Sequence, residues 1–295
     1  MFRSWLQLLR APNLFTVPGD PIAGFLLVNL GMLDGRAALA VLAAVCFYAS
    51  GLLMNDLFDL EVDRRERPGR PLPSGQVSPR AVWVVMTALA VSGVLTLSVV
   101  AAERGALLGL TLLLVIGLYN GWSKHIPVLG AINMGLCRAM SVLIGAAAAL
   151  SHTLPTRGPA INAAAITLLY FAAITHLARY ETGEQAPVHA RLSPILAALI
   201  GLALVIYGTG PIFKAPAATT YAVGCLFVVS EAGRLFGRTP APIPPVIGGL
   251  IRCHLIFQAA FGLAFAHVPE THLVAVALLL LLPVSHVVGK RFYGS

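Results

Sequence analysis

Asn55, Asp59 and Asp63 recur at four-residue intervals in "NDLFDLEVDRRERPGRPLPSG" (residues 55–75), with Asp56 inside the same arc. On a helix each four-residue step drifts by only about 40°. The four polar groups therefore share roughly 100° of one face over about 12 Å. Carboxylates held this close repel one another unless a cation sits among them. Hard oxygen ligands at this spacing suit Mg²⁺, which keeps several waters and binds through one or two carboxylates plus substrate phosphates. Arg64, Arg65, Arg67 and Arg70 follow, then a turn with Pro71, Pro73, Gly75 and the hydroxyl of Ser74. Arginine grips phosphate oxygens through a planar fork, and Arg70 is the foremost candidate for that task. A plain acidic loop paired to its own arginines is the bland reading. Loop charges, however, do not keep helical register.

The elements that must position this face are long and oily. Residues 37–54 carry no charge, whereas the sixteen positions from Asn55 to Arg70 hold three Asp, two Glu and four Arg. The 295-residue chain is 58% hydrophobic, with a mean hydropathy of +0.84. A water-soluble domain cannot hide so much apolar surface, whereas a bilayer accepts it. Mainly apolar runs fall at roughly 14–33, 36–57, 80–101, 105–121, 128–150, 160–178, 192–210, 216–236, 245–267 and 270–289. Their lengths match about 30 Å of hydrocarbon crossed at 1.5 Å per residue. The expected fold is an all-α, polytopic transmembrane helical bundle of nine to ten spans, one domain over residues 1–295. Strands are excluded as the main element by run length and lack of alternation. The first run is broken by "VPGDP" (17–21) and lacks the short core and small-residue site of a cleavable signal.

Charge orients the bundle. With the N-terminus and the even-to-odd loops on one side, that side holds fourteen Lys and Arg; the other holds only Arg36, Arg104, Arg157 and Lys214. This positive-inside bias places the acidic motif and both termini in the cytoplasm of a cell (inner) membrane protein. The net charge of +8 then reflects topology and attraction to anionic membrane lipids, with no nucleic acid required. Cys46, Cys137, Cys225 and Cys253 lie one to a run without Cys-x-x-Cys spacing, so they read as small buried hydrophobes. Arg138 and Arg252 fall inside apolar runs. A charge there costs on the order of 3 kcal/mol by insertion scales, so Arg138 is expected to face a polar cavity. His176 and His254 are candidate polar lining, with a structural role the commoner outcome for a lone helical His.

"NDLFDLEVDRRERPGRPLPSG" resembles the signature of the UbiA superfamily of intramembrane prenyltransferases, N-D-x-x-D-x-x-x-D followed by R-P-x-x-S-G. Arg10 and Asn13 in "LLRAPNLFTVPGD" resemble the start of that family's first helix, and Tyr119 with Lys124 in "YNGWSKHIPVLG" resembles its Y-x-x-x-K-R-type segment. "MGLCRAMSVLIGA" (134–146) is similar to the branch found in bacterial ebo-type gene clusters. The similarity spans most of the chain to about residue 190.

The resemblance implies a Mg²⁺-dependent transferase of isoprenoid chains. Mg²⁺ at Asn55, Asp59 and Asp63 would grip a prenyl diphosphate donor, and basic side chains would neutralise the departing pyrophosphate. Asn55, Asp59, Asp63 and Arg70 take the catalytic roles. Arg10, Asn13, Asp56, Ser74, Tyr119, Lys124, Arg138, Tyr180, Glu181 and Glu184 are the substrate-binding candidates, with an unidentified lipophilic or aromatic acceptor. The family's second acidic motif is D-x-x-x-D after its sixth helix. Here that place reads "THLARYETGEQAP", which offers Glu181 and Glu184 as further metal ligands, or His176, Tyr180 and Glu184 in another register. The altered motif leaves an alternative open, a transporter or lipid-binding protein on the same bundle.

Overall fold

The computed structural model describes residues 2–149, 158–181, 186–207, 215–237 and 239–292. Among them every regular element is helical. The order is α1 (Phe2–Leu8), α2 (Ala11–Leu14), α3 (Gly19–Val28), α4 (Gly35–Phe58), α5 (Leu60–Glu66), α6 (Pro79–Gly121), α7 (Pro127–Ala149), α8 (Gly158–Ala178), α9 (Val188–Tyr207), α10 (Ala215–Gly233), α11 (Ile243–Gly262) and α12 (Pro269–Phe292). Eight of these helices are long and apolar enough to cross a membrane. Their outer faces are apolar as well: Trp83, Leu95, Val99, Leu107, Leu114 and Leu118 on α6 are exposed. With polar groups inside and apolar ones outside, this is an integral membrane protein.

Two departures from the expected spans have local causes. The first run does not form one helix over 14–33. Pro18 stands at the N-terminal cap of α3, and left-handed backbone at Leu30 (φ 54°) and Gly31 (φ 88°) follows its end at Val28, so α3 is short. The 43-residue α6 contains both the third and fourth runs. Non-helical backbone at Ala101 (φ −133°) and Ala102 (φ 51°, ψ −143°) divides it into two arms. Both arms pack on α4 around buried Phe47, through Leu97 and Val100 of one and Leu112 and Ile116 of the other. Helix starts are capped as the sequence allows: Asp34 accepts from the Arg36 amide at 2.8 Å, and Ser78 from the Ala81 amide at 3.2 Å with Pro79 next.

Membrane helices gain little from apolar burial against each other, so close backbone contact between small residues holds them. At the α3–α7 crossing a Cβ on Gly24 would lie 1.9 Å from the Val142 carbonyl, and one on Gly145 would lie 1.8 Å from that of Pro21. No other residue fits there. α11 is the most enclosed span and α12 the least. α12 returns to α2, where the Ser285 hydroxyl donates to the Pro12 carbonyl at 2.9 Å. The C-terminal part of α12 therefore lies at the end of the bundle that carries α2 and the acidic motif.

Candidate active site

α4 runs into α5 through Asp59 (φ −88°, ψ 0°), a slight break that does not spoil the register. The amides of Asp59, Asp63 and Arg67 donate to the carbonyls of Asn55, Asp59 and Asp63 at 2.9, 2.8 and 2.8 Å. The four-residue ladder read from the sequence thus continues through the junction. Asn55 donates its amide to Asp59 Oδ2 at 3.0 Å, which leaves its own carbonyl oxygen as a ligand.

Cations arrive from three other segments. Lys124, on a 3₁₀ turn (Ser123–His125) after α6, bonds Asp59 Oδ1 and is itself largely buried. Arg70 reaches Asp63 Oδ2 at 2.7 Å; that carboxylate is 7% exposed. Arg10 comes to 3.8 Å from Asp56. Its backbone is left-handed (φ 44°, ψ 55°), an uncommon conformation for a non-glycine residue that costs about 1 kcal/mol or more.

Arg10 joins two spaces. One is a cleft of about 560 Å³ in which the charged groups of Asp56, Asp63, Arg67 and Arg70 stand among apolar Leu6, Leu8 and the proline turn at 71–73. The other is a mostly apolar cavity of about 130 Å³ between α4, α6 and α7, with Asn55 and Tyr119 on its wall. Arg10 lines both. Asn13 bonds Tyr48, which also faces the apolar cavity. A charged cleft and an oily cavity that share Arg10 suit a ligand with a charged head and an apolar tail.

The second acidic segment comes to the first. Glu181 lies 3.6 Å from Arg67, at the exposed rim of the cleft. Tyr180 meets His176 edge-on, and His176 lies beside His189 of α9. Glu184 lies outside the described residues. Ser74 is exposed and bonds the Pro71 carbonyl at 3.3 Å, so it stabilises the turn. Among the described residues no three His, Cys, Asp or Glu side chains converge to enclose a metal ion.

Arg138 sits elsewhere. It lies on the cavity wall at 5% exposure, its charge met by Asp20 at 2.8 Å and its guanidinium 4.4 Å from the Phe171 ring centre. Asp20 also accepts from Gln258 at 2.7 Å and pairs with His254 at 2.8 Å, while Arg138 and Gln258 donate to the Thr16 carbonyl. This buried network closes the "VPGDP" break, and His254 is structural within it. Sequence reasoning had Arg138 and His254 but missed Asp20 and Gln258. The signal was there: one acid and one base, each alone in an apolar run, are expected to find each other.

A model of the UbiA prenyltransferase family matches residues 21–245. The chain belongs to that family. Curated UbiA-family relatives include the digeranylgeranylglyceryl phosphate synthases of Methanopyrus kandleri, 35% identical over 49% of this chain and 53% of that protein, and of Ignicoccus hospitalis, 33% identical over 50% and 47%. The chain spans about half the length of the curated relatives it matches. A solved UbiA homologue from Archaeoglobus fulgidus, bound to GPP and Mg²⁺, superposes with a TM-score of 0.65 at 20% identity, over 90% of this chain and all of that one. One from Aeropyrum pernix gives 0.64 at 17% identity, over 94% and 98%. These superpositions establish the UbiA fold, and the family model establishes membership.

Proposed function

We propose that this UbiA-family chain is an integral-membrane prenyltransferase that moves an isoprenoid from a prenyl diphosphate to a lipophilic or aromatic acceptor with the help of Mg²⁺. The observation that carries this reading is Arg10, shared by the acidic–basic cleft and the apolar cavity. The residues fit Mg²⁺: their donors are hard oxygens, and Asp59 and Asp63 each already hold a cation that a metal with diphosphate could replace. When bound, Mg²⁺ supplies charge neutralisation on the diphosphate oxygens. Asn55, Asp59 and Asp63 would hold it.

The chain's own groups do the rest. Arg70 and Lys124 transfer their hydrogen bonds from carboxylates to phosphate oxygens, and with Arg10, which lies 3.8 Å from Asp56, they stabilise the charge that develops as the C1–O bond breaks. The electron pair leaves with the pyrophosphate, and the allylic carbon is attacked by an acceptor atom that then loses its proton. Tyr48, Phe47, Leu112 and Ile116 wall the apolar space and keep water from the cation. The alternative of a transporter or lipid-binding protein, which rests on the altered second acidic motif, is disfavoured by a family match to prenyltransferases and by relatives named as digeranylgeranylglyceryl phosphate synthases. Assignment to the ebo-type branch rests on residues 134–146 alone.

The direct test is incubation of purified protein with Mg²⁺, radiolabelled prenyl diphosphates of several lengths and a cell lipid extract. Label should move into a lipid-soluble product for at least one length. No transfer at any length would remove the transferase reading.

Glu181 and Glu184 are assigned to the metal environment, supported by the approach of Glu181 to Arg67. The double variant Glu181→Gln/Glu184→Gln keeps shape and removes two charges. It should need more Mg²⁺ for half-maximal rate and turn over markedly more slowly, while its unfolding midpoint stays within a degree or two. Wild-type Mg²⁺ dependence would show that the second segment has no part in binding.

The motif end is assigned to the cytoplasm on the strength of its fourteen Lys and Arg. A reporter active only outside the cytoplasm, fused after Ser295, should stay silent. A bright signal would require an odd number of crossings.

A further inference from the structure

Two arginines fall inside apolar runs, and their surroundings differ. Arg138 is buried and paired with Asp20 at 2.8 Å. Arg252, nine residues into α11, is half-buried, and among the described residues it makes no ion pair and no hydrogen bond. The acid beside it on α10, Glu231, is held by Arg234 at 2.6 Å, and its carboxylate lies against Gly249. A guanidinium on a membrane helix is tolerated where it reaches water, headgroups or an anion.

Geometry says where Arg252 reaches. A long helical side chain leans towards the N-terminus of its helix. Arg252 Nη1 turns back to lie 3.4 Å from where a Gly248 Cβ would stand, so the missing side chain makes its berth. Gly248 lies about 8 Å along α11 from its start at Ile243, which follows the polar stretch "GRTPAP" (237–242). The interfacial layer of each leaflet is about 5–8 Å thick, so this is the depth of phosphate and glycerol groups. Around the helix axis Arg252 falls between Gly249, which faces α10, and Leu255, which shares an apolar cluster with Ala275 and Leu278 of α12. α10 joins that cluster through Ala217, at its far end; towards the acidic-motif end α12 leans to α2, where Ser285 bonds Pro12. A wedge between α10 and α12, floored by Gly248, Gly249 and Arg252, therefore faces the lipid.

Arg252 and Arg234, less Glu231, leave this wedge one positive charge. We propose that it seats one anionic phospholipid, with the phosphate on Arg252 and the acyl chains against α10 and α12. The guanidinium fork matches phosphate oxygens, and basic pockets between membrane helices take such headgroups. A zwitterionic lipid would bring its own cation to a site that already has one in excess. The inference is independent of the prenyltransferase reading, because Arg252 lines neither the charged cleft nor the apolar cavity.

The test uses the full-length protein in detergent, stripped of lipid and titrated with dioleoylphosphatidylglycerol, dioleoylphosphatidylcholine or inorganic phosphate. Native mass spectrometry counts the lipids bound and gives the first dissociation constant. Phosphatidylglycerol should bind about fivefold or more tightly than phosphatidylcholine, the scale for one basic residue at a lipid surface. Arg252→Gln should remove that preference. Gly248→Leu, which keeps the charge but fills its berth, should weaken it as well. Arg80→Gln, an exposed arginine at the start of α6, should leave it within twofold. Without lipid, Arg252→Gln should unfold at or above the wild-type midpoint, since it breaks no contact. No preference in wild type, or a preference that survives both Arg252→Gln and Gly248→Leu, overturns the seat. Inorganic phosphate that displaces the bound lipid at millimolar concentration would make it a site for a soluble anion instead. A drop of several degrees in lipid-free Arg252→Gln would mean that the arginine has a partner within the protein, which also overturns it.

Discussion

Asp59→Ala and Asp63→Ala should each lower turnover by about 10³-fold, the scale for removing one group aimed at transition-state charge. Both carboxylates lie one helical turn apart on the α4–α5 ladder, each already holding a cation. Removing Asp59 takes one proposed metal ligand and frees Lys124. Removing Asp63 does the same to Arg70, on a carboxylate that is 7% exposed and has little water to compensate it. Each variant should elute as wild type from gel filtration in detergent, because the lost contacts lie at the end of the bundle. The assay is single-turnover transfer of labelled prenyl diphosphate over a range of Mg²⁺. If both variants keep wild-type rates, the catalytic assignment is lost, and with it the reading of the motif.

Asp20→Leu should destabilise the protein by about 3–5 kcal/mol, because it leaves the Arg138 guanidinium charged, buried and unpaired. Asp20 is fully buried, and besides Arg138 it satisfies His254 and Gln258. No substitution on the acidic motif should cost as much stability. The double variant Asp20→Leu/Arg138→Met removes both charges and should regain most of the loss, since a well-packed apolar pair is often as stable as a buried ion pair. Unfolding midpoints in detergent check both. A single variant as stable as wild type would show that the pair does not hold the break in the first helix.

The sequence by itself determined the helical bundle and the register of one acidic face. Both are local properties: run length sets a membrane span, and four-residue spacing sets a helix face. Asn55, Asp59 and Asp63 needed only the hydrogen-bond ladder of their own segment, which is why the reading survived the break at Asp59. The division of α6 into two arms was legible as two runs, 80–101 and 105–121, for the same reason.

What only the tertiary structure decided is which distant groups meet. Lys124 lies 65 residues from Asp59, Asp20 lies 118 from Arg138, and Gln258 lies 238 from Asp20. Spacing along one helix carries no information about the rotation of its neighbours. That rotation is set by close contacts such as Gly24 on Val142 and Gly145 on Pro21, where no side chain fits. The left-handed backbone of Arg10 is equally invisible in sequence, since it follows from packing a broken first helix against the rest. The same packing brings Asn120 of α6 and Arg138 and Ser141 of α7 to the wall of one cavity, a proximity that exists only once the helices are docked.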